Sequence, residues 1–287
     1  MHSPSSFKDR PVLITGCSSG IGYCVAHGLH QRGYNVIASA RKPDDVEKLR
    51  NENLQCIQLD LDDSDSIDRA VDEALQLGNG TIYALFNNAS FGQPGAVEDL
   101  SRDVLRQQFE TNFFGTAELT NKILPIMRKQ GYGRIIQNSS VLGLITLCYR
   151  GAYNASKFAL EGLTDTLRQE LDDTNIHVSL IEPGPVKSRF RANAFKAFQE
   201  NIDIENSVHR EVYQSTEKRL KKQGDAVPFT LPPEAVLAKV IHALESRRPK
   251  PRYYVTVPTY IFGILKRILS TRILDKILLS VSRGEQR

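Results

Sequence analysis

The chain has 287 residues, of which 40% are hydrophobic and 24% charged, and its formal net charge is +4. This length is sufficient for one large domain with a substantial core, and the composition is ordinary for a soluble globular protein. Such a modest charge is no argument for a nucleic-acid partner, and we predict none. The positive charge is concentrated near the C-terminal end, because residues 247–287 hold ten lysines and arginines against two acids.

The cysteines and apolar runs bear on the cellular setting. The four cysteines lack the C-x-x-C spacing of disulfide or zinc frameworks, so we predict a reduced, cytoplasmic protein without a metal site. The first ten residues contain no apolar segment typical of a signal peptide. No run of about 18 uninterrupted apolar residues is present, so no membrane span is predicted.

Short apolar runs alternate with helix-like segments along the chain. Strands are predicted at residues 11–15, 35–40, 56–62, 82–89, 133–140 and 176–184. One intervening helix has Ser64 as its expected N-cap, and a long helical stretch is expected from Ser101 to Lys129. This alternation predicts an α/β fold, a Rossmann-like doubly wound parallel sheet of about seven strands with helices on both faces.

We expect one domain, because no internal repeat or linker interrupts the pattern. Its core is predicted to comprise residues 8–186 and 232–257. Residues 187–231 form a long insertion, which is usually functional or has helices of its own. Residues 258–287 form an amphipathic C-terminal tail.

The first predicted strand leads directly into a glycine-rich turn and a helix. Glycines permit a tight turn and close backbone approach, and a helix N-terminus offers free N–H groups to a pyrophosphate. The alternative is a glycine-rich turn without a ligand. The candidate cofactor residues here are Gly16, Ser18, Ser19, Gly20, Ile21 and Gly22.

The end of the second strand should select between NAD and NADP. A carboxylate there would accept hydrogen bonds from the ribose 2′-hydroxyl, but no acid occurs before Asp44. Arg41 offers a guanidinium suited to phosphate oxygens, and Ser39 offers a hydroxyl. Arg41 could instead be an ordinary solvated side chain. We predict NADP(H) as the cofactor.

A hydroxyl, a phenol and an amine follow the fifth strand. Tyr153 and Lys157 are four residues apart and share one face if the segment is helical. An ammonium beside a phenol favours the phenolate, so we expect Lys157 to lower the pKa of Tyr153 from its ordinary value of about 10. Such a group could exchange a proton between an alcohol and a carbonyl. Taken alone, Y-x-x-x-K also occurs by chance on many helices.

Six motifs occur in a fixed order over about residues 10–257. They are Thr15-Gly16-x-x-x-Gly20-Ile21-Gly22, Asn87-Asn88-Ala89, Asn112, Ser140, Tyr153-x-x-x-Lys157 and Pro183-Gly184. Together they resemble the short-chain dehydrogenase/reductase family, and within it the chain looks like the retinol- and hydroxysteroid-dehydrogenase-like branch. The chain is also similar, through its tail, to bacterial NADP-dependent aldehyde reductases of short-chain type.

The resemblance implies a role for each of four catalytic residues. Tyr153 is the acid/base, and Lys157 binds the nicotinamide ribose and lowers the tyrosine pKa. Ser140 hydrogen-bonds the substrate oxygen, and the thirteen-residue step from Ser140 to Tyr153 favours it over its neighbour Ser139. Asn112 holds the backbone and water of a proton relay.

It also implies further cofactor contacts. Asp60 and Leu61 match residues that meet the adenine, Asn88 and Ala89 those along the adenosine ribose. The remaining matches are Pro183, Gly184, Val186 and Ser188, the last two facing the carboxamide and phosphate. Ser90 replaces a usual glycine and Ser188 a common threonine; both are small, so we expect binding to survive.

The family places its substrate lid in the 187–231 insertion. We expect an apolar wall formed by Phe190 together with Leu142, Leu147 and Tyr149 of the loop before Tyr153, around Ser140 and Tyr153. Leu144, Phe195 and Phe198 are further candidates, although any of these side chains could simply pack the lid on the domain. An apolar carbonyl or alcohol is the predicted substrate.

The tail has apolar residues at helical spacing with basic residues between them. A helix over the pocket or a subunit interface, peripheral contact with a membrane, and disorder are the three interpretations. By analogy with the family we expect a homo-oligomer.

The leading hypothesis is an NADPH-dependent oxidoreductase that reduces apolar aldehydes or ketones, with Tyr153 as general acid. The alternative is an NAD(P)-dependent hydroxysteroid or retinol dehydrogenase. A remote alternative is a non-catalytic regulator that senses NADPH.

Overall fold

The computed structural model describes residues 10–222, 224 and 227–285. Seven strands are found in this part of the chain. They are β1 (Pro11–Ile14), β2 (Asn35–Ala40), β3 (Gln55–Gln58), β4 (Ala84–Asn87), β5 (Gly133–Asn138), β6 (Ile176–Glu182) and β7 (Arg252–Tyr254). All neighbouring pairs are parallel, in the order β3-β2-β1-β4-β5-β6-β7. The predicted doubly wound sheet is confirmed.

The described residues also form eleven α-helices, some of which cover the two faces of this sheet. They are α1 (Gly20–Gln31), α2 (Pro43–Asn51), α3 (Ser64–Leu77), α4 (Arg102–Phe109), α5 (Gly115–Gln130), α6 (Gly151–Glu170), α7 (Phe190–Asn201), α8 (Arg210–Lys221), α9 (Glu234–Glu245), α10 (Val257–Ile268) and α11 (Thr271–Gly284). Adjacent residues of a strand point to opposite faces. Val12 and Ile14 therefore join a core with α1 and α9, whereas Leu13 joins a second core with α3 and α5.

The sheet has its switch point between β1 and β4. β1 continues through α1 to β2 on one side, while β4 lies on the other side of β1. Ligands of open α/β sheets bind at the carboxyl ends of the strands where the order reverses in this way. The glycine-rich turn after β1 and the loop after β4 both lie at this edge.

One local expectation is wrong, and a second is confirmed with a local irregularity. The N-cap of α3 is Asp63, whose side chain accepts a hydrogen bond from the Asp65 N–H at 3.0 Å. Ser64 instead donates to Glu118 on α5, so its hydroxyl is already used. The expected helical stretch from Ser101 to Lys129 is confirmed. It runs from Arg102 to Gln130, with a π-helical turn at Glu110–Phe114 between α4 and α5.

The insertion and the tail are both helical. Helices α7 and α8 form the 187–231 insertion, and α10 and α11 form the tail. No helix among the described residues is long and apolar enough to cross a membrane. Residues 8–9 of the predicted core, 223 and 225–226 of the insertion, and 286–287 of the tail lie outside the described residues.

Candidate active site

The turn after β1 is shaped by glycines. Gly16 and Gly20 have φ values of +71° and +62°, in the left-handed region that side chains disfavour. A Cβ on Gly16 would lie 2.8 Å from Ala89 Cα, and one on Gly22 would clash with the Gly16 carbonyl oxygen. The turn is therefore folded tightly against the end of β4, and only glycine fits at these positions.

The N-terminus of α1 faces this turn. Ser19 is its N-cap, but its side chain makes no capping hydrogen bond. The N–H groups of the first turn are therefore available to a ligand, and a helix N-terminus favours an anion. A Cβ on Gly20 would lie 2.8 Å from Ser188 Cβ, so the predicted phosphate contact Ser188 stands beside this helix start. These residues fit a dinucleotide pyrophosphate.

The loop after β4 is fastened to the same turn through Thr15. The N–H groups of Asn88 and Ala89 each donate to Thr15 Oγ1 at 2.9 Å. Asn88 Nδ2 donates to the carbonyls of Thr15 and Gly16 at 2.9 and 3.2 Å. Sequence analysis assigned no role to the Thr15 side chain. The structure shows that it holds Asn88 and Ala89, the two predicted ribose contacts, against the glycine-rich turn.

Arg41 lies at the carboxyl end of β2. Its guanidinium is exposed and makes no ion pair with any residue that the structure describes. Its carbonyl accepts a hydrogen bond from Gln58 at 3.1 Å, which fixes the end of the strand. Burial raises the pKa of the Asp62 carboxyl, and Arg41 acts against this rise. The positive field of Arg41 therefore extends over this edge of the cofactor site.

The loop after β3 carries the two predicted adenine contacts. Asp60 is half-buried, and its Oδ1 accepts a hydrogen bond from the Asp62 N–H at 3.1 Å. Its own N–H donates to Ser66 Oγ at 3.0 Å. Leu61 is buried and contacts Gly115 at the start of α5, where a Cβ would clash with the Leu61 carbonyl.

The loop after β6 closes the other side of the site. The Val141 N–H donates to the Pro183 carbonyl at 2.8 Å, so this loop is joined to the one that follows Ser140. A Cβ on Gly184 would clash with the Thr256 side chain. Val186 pairs with Leu231 in an isolated bridge. The predicted cofactor residues that follow β6 therefore lie next to the loop between β5 and α6, residues 139–150, which we call the catalytic loop.

Ser140 and Tyr153 come together at the end of β5 and the start of α6. Each is 9% exposed, and Ser140 Oγ accepts a hydrogen bond from the Leu142 N–H at 3.1 Å. A Cβ on Gly143 would meet the side chains of Ser139 and Glu161. Ser139 therefore points to the Glu161 side, whereas the Ser140 side chain acts on Tyr153. This agrees with the choice of Ser140.

The Tyr153 phenol is protonated at neutral pH. Burial raises its pKa to about 12, although the hydrogen bond with Ser140 and the charge of Arg150 both lower it. This direction is opposite to the one expected from the sequence, because loss of water around the phenolate outweighs the Ser140 hydrogen bond and the charge of Arg150. A neutral phenol is a proton donor, the state that reduction of a carbonyl requires.

Lys157 lies one helical turn after Tyr153. Its Nζ is 5.6 Å from the centroid of the tyrosine ring and donates to the Asn138 carbonyl at 2.8 Å. The side chain is 2% exposed. Burial lowers the pKa of Lys157 to about 8, and the charge of Glu161 opposes this change.

Asn112 lies in the π-helical turn Glu110–Phe114, and such turns are frequent at functional sites. Its Nδ2 donates to the Phe91 carbonyl at 2.9 Å and to Ser156 Oγ at 3.2 Å. Its Oδ1 accepts from the Phe91 N–H at 3.1 Å. Asn112 therefore holds the loop after β4 against α6, next to Lys157.

A buried charged cluster behind Lys157 was not found from the sequence. Arg252 of β7 pairs with Glu161, Glu182 and Asp165. Burial, followed by repulsion from Glu161, raises the pKa of Glu182 to about 8, against the attraction of Arg252. The one signal in the sequence is Glu182 at the end of an apolar strand, since a buried acid needs a partner.

An apolar wall lies beside Tyr153. The ring of Phe190 meets the Tyr153 ring edge-to-face with centroids 5.2 Å apart. The two predicted leucines of the loop belong to the same cluster, and three residues of the tail join it. Its members are Leu142, Ile145, Tyr153 and Leu278, with Val141, Leu147, Phe190, Phe262 and Leu274 packed against them. The tail thus covers the catalytic loop, one of the interpretations left open above.

The other lid residues lie elsewhere. Tyr149 contacts His209, with its hydroxyl 3.3 Å from Nδ1, in the cluster that contains Phe198, Tyr213 and partly buried Phe195. Leu144 is buried but belongs to neither cluster. Tyr149, Phe195 and Phe198 therefore pack the lid onto the domain. Within the described residues, no cluster of three or more His, Cys, Asp or Glu side chains could hold a metal ion.

Comparison with known proteins agrees with this geometry. Residues 10–199 match the family described as short chain dehydrogenase. The chain is 46% identical over 269 residues to the uncharacterized oxidoreductase YbbO of Escherichia coli, covering 94% of each protein. It is 32% identical to an NADPH-dependent 3-dehydrocapnine reductase of Ornithobacterium rhinotracheale (93% and 95% covered) and 34% identical to human retinol dehydrogenase 8 (85% and 80% covered).

A solved structure gives the same result. The crystal structure of a short-chain dehydrogenase from Streptomyces avermitilis superposes with a TM-score of 0.76 at 29% identity, over 96% of this chain and 98% of that one. The parallel sheet, the glycine-rich turn after β1 and the arrangement of Ser140, Tyr153 and Lys157 are those expected from the resemblance to this family. The chain is therefore an oxidoreductase of the short-chain dehydrogenase/reductase family, whose fold binds NAD(P).

Proposed function

We propose that this chain is an NADPH-dependent reductase of apolar aldehydes and ketones. The observation that carries the proposal is the position of the buried Tyr153 phenol beside the Ser140 side chain and an apolar wall. Ser140 and Tyr153 would hold the carbonyl oxygen, and Tyr153 would give it a proton. Lys157, as an ammonium, would stabilise the phenolate that remains. The bound dinucleotide would supply the hydride to the carbonyl carbon.

The preference for NADPH is supported by the end of β2. Arg41 provides a free guanidinium where a carboxylate would select NAD, and a guanidinium binds phosphate oxygens through two N–H groups. A relative at 32% identity is named as an NADPH-dependent reductase.

We propose the cytoplasm as the location of the protein. Its four free cysteines fit the reducing environment of that compartment.

The substrate class is supported by the residues around Tyr153. Leu142, Leu147 and Phe190 are apolar. The cation whose charge acts on Tyr153 is Arg150, and it is paired with Glu285. A carbonyl on an apolar chain or ring would bury its hydrocarbon part against this wall. A series of substrates that differ in the size and shape of the hydrocarbon part would show which of them this wall accepts.

A hydroxysteroid or retinol dehydrogenase is the second candidate. Human retinol dehydrogenase 8 is similar over 85% of the chain, and its named substrate is also apolar. The same four catalytic residues would serve both reactions, so the sequence and the catalytic geometry favour neither.

A panel assay separates these functions. Steady-state rates would be measured for linear aldehydes, cyclic ketones, ketosteroids and retinal with NADPH and with NADH, and for the matching alcohols with the oxidised cofactors. We expect the highest kcat/KM for an aldehyde or simple ketone with NADPH. A strong preference for NADH, or for retinol or steroid oxidation, would contradict the proposal.

A further inference from the structure

The structure points to a second functional surface: we propose that the outer side of α10 and α11 docks on an anionic lipid surface. This proposal rests on the proposed function in one respect only: the lipid phase would be the source of the apolar substrate. Lipid binding itself depends on the two helices alone.

An apolar stripe on α10 faces solvent. Its side chains are 47% to 69% exposed and are spaced i, i+3, i+4, i+7 and i+11, which places them on one helical face. They are Val257, Tyr260, Ile261, Ile264 and Ile268. Seven of the 13 large hydrophobic side chains exposed within the described residues lie between residues 257 and 279. Such a concentration marks an interaction site.

The inner side of α10 fixes its orientation. Phe262 packs against the cluster around Tyr153. A Cβ on Gly263 would lie 2.7 Å from the Tyr254 ring, so helix and strand are in close contact there. Arg267 donates to the Gly263 carbonyl at 2.6 Å and to the Tyr254 hydroxyl at 3.1 Å. The helix is held on this side, so the stripe stays outward.

A basic stripe follows on α11. Arg272, Lys276 and Arg283 are spaced i, i+4 and i+11, and all three are exposed. None of them forms an ion pair with a residue that the structure describes. The inner side of α11 is held by buried Leu278 and by Ser282, whose hydroxyl accepts a hydrogen bond from the Cys148 N–H at 3.2 Å. The three cations are therefore presented outward, without an ionic partner in the part of the chain that the structure describes.

These two stripes favour lipid over a second copy of this chain. Two copies joined through α10 would bring two basic tails together, and like charges repel across an interface. Anionic headgroups instead complement Arg272, Lys276 and Arg283, while the isoleucines enter the acyl boundary. Tyr260 has the amphipathic ring that is enriched at the water–lipid boundary.

The same helices connect this surface to the pocket. Phe262 of α10 and Leu274 and Leu278 of α11 contact the catalytic loop on the inner side. A tail docked on lipid would hold the apolar wall next to the phase in which apolar carbonyl compounds dissolve.

Sedimentation with vesicles tests the proposal on the full chain without substrate. Vesicles would be phosphatidylcholine alone or phosphatidylcholine with phosphatidylglycerol at about 7:3, at physiological salt. Two variants disrupt the stripes: Ile261→Glu with Ile264→Glu, and Arg272→Glu with Lys276→Glu. Their matched controls are Val208→Glu, the most exposed apolar side chain outside the tail, and Arg128→Glu with Lys129→Glu on α5.

We expect the native chain and both controls to pellet with the anionic vesicles and to stay in solution with neutral ones. Each stripe variant should lose about tenfold or more of the bound fraction. All variants should keep wild-type turnover of a water-soluble aldehyde without vesicles, so failure of this proposal is distinguishable from failure of the proposed function. Equal partition of native chain and stripe variants would overturn the proposal. So would a dimer in vesicle-free buffer that Ile261→Glu with Ile264→Glu dissociates, since the stripe would then join two copies.

Discussion

Lys157 Nζ donates a hydrogen bond of 2.8 Å to the main-chain carbonyl of Asn138, the last residue of β5. Ser140 follows Asn138 by two residues, and Tyr153 precedes Lys157 by one helical turn. One buried contact therefore sets the distance between the end of the sheet and the start of α6. The Lys157 amine, which we propose stabilises a phenolate, and the Ser140 hydroxyl, which contacts Tyr153, share this anchor.

Tyr153→Phe tests the general acid. Removal of the phenol hydroxyl should lower kcat for carbonyl reduction by about a thousandfold, within the range of a lost general acid. Dinucleotide affinity, measured by quenching of NADPH fluorescence, should change little, because the ring and its contact with Phe190 remain.

Tyr149→Phe is the matched control. Tyr149 lies in the same loop region, but its hydroxyl is directed to His209 in the lid cluster. Its loss should leave kcat within about twofold of the native value. Turnover retained by Tyr153→Phe would contradict the acid role of this residue.

The local parts of the site could be predicted from the sequence. Glycine spacing after an apolar run, the i, i+4 relation of Tyr153 and Lys157, and the alternation of strands and helices are all short-range signals. They led to the correct sheet and to the glycine-rich turn at its edge, whereas the choice of Ser140 as the partner of Tyr153 came from the resemblance to the family. β7 has three residues, too short for periodicity to locate.

Long-range effects could not be predicted in this way. Arg252 meets Glu161 and Glu182 across 91 and 70 positions of the chain, and no spacing rule joins them. The raised pKa of Tyr153 depends on burial by the loop, the lid and the tail together. The N-cap of α3 also depends on a distant residue. The Ser64 hydroxyl is bonded to Glu118, and the Asp63 side chain caps the helix instead.

Arg41→Asp tests the choice of cofactor. Loss of charge-assisted hydrogen bonds to the 2′-phosphate, each worth about 1.5–3 kcal/mol, should raise the NADPH KM roughly ten- to hundredfold. The NADH KM should fall or stay constant, because a carboxylate can accept from the ribose hydroxyls. Arg102→Asp, at the start of α4, carries the same charge change away from this edge and should alter neither constant. Equal effects on both cofactors would remove Arg41 from the NADPH site.

Glu161→Gln tests the buried charges behind Lys157. The lysine amine, whose pKa is about 8, is charged below that pH and loses its proton as pH rises. Reductive kcat/KM should therefore fall as pH rises through about 8. Glu161 holds this pKa up, against burial, while Arg252, Glu182 and Asp165 surround it. Glu161→Gln removes this charge and should move the fall in kcat/KM to a pH about one unit lower.

Glu170→Gln is the control for this profile, since Glu170 is an exposed acid at the end of the same helix. Its pH profile should match that of the native enzyme. A Glu161→Gln profile that coincides with the native one would show that Glu161 does not set the charge of Lys157. Thermal unfolding of both variants separates this outcome from a general loss of structure.

Two helical glycines give opposite predictions for stability. Gly162 of α6 is exposed, with no atom within 4 Å of an added Cβ, whereas a Cβ on Gly115 would clash with the Leu61 carbonyl. Gly162→Ala should raise the free energy of unfolding by about 0.5–1 kcal/mol, because alanine is the better helix former. Gly115→Ala should lower it by about 1–3 kcal/mol, because α5 must move away from the adenine-side loop. Urea unfolding measures both, and dinucleotide affinity should weaken for Gly115→Ala alone. A destabilised Gly162→Ala would mean that this face of α6 is covered by another surface in solution.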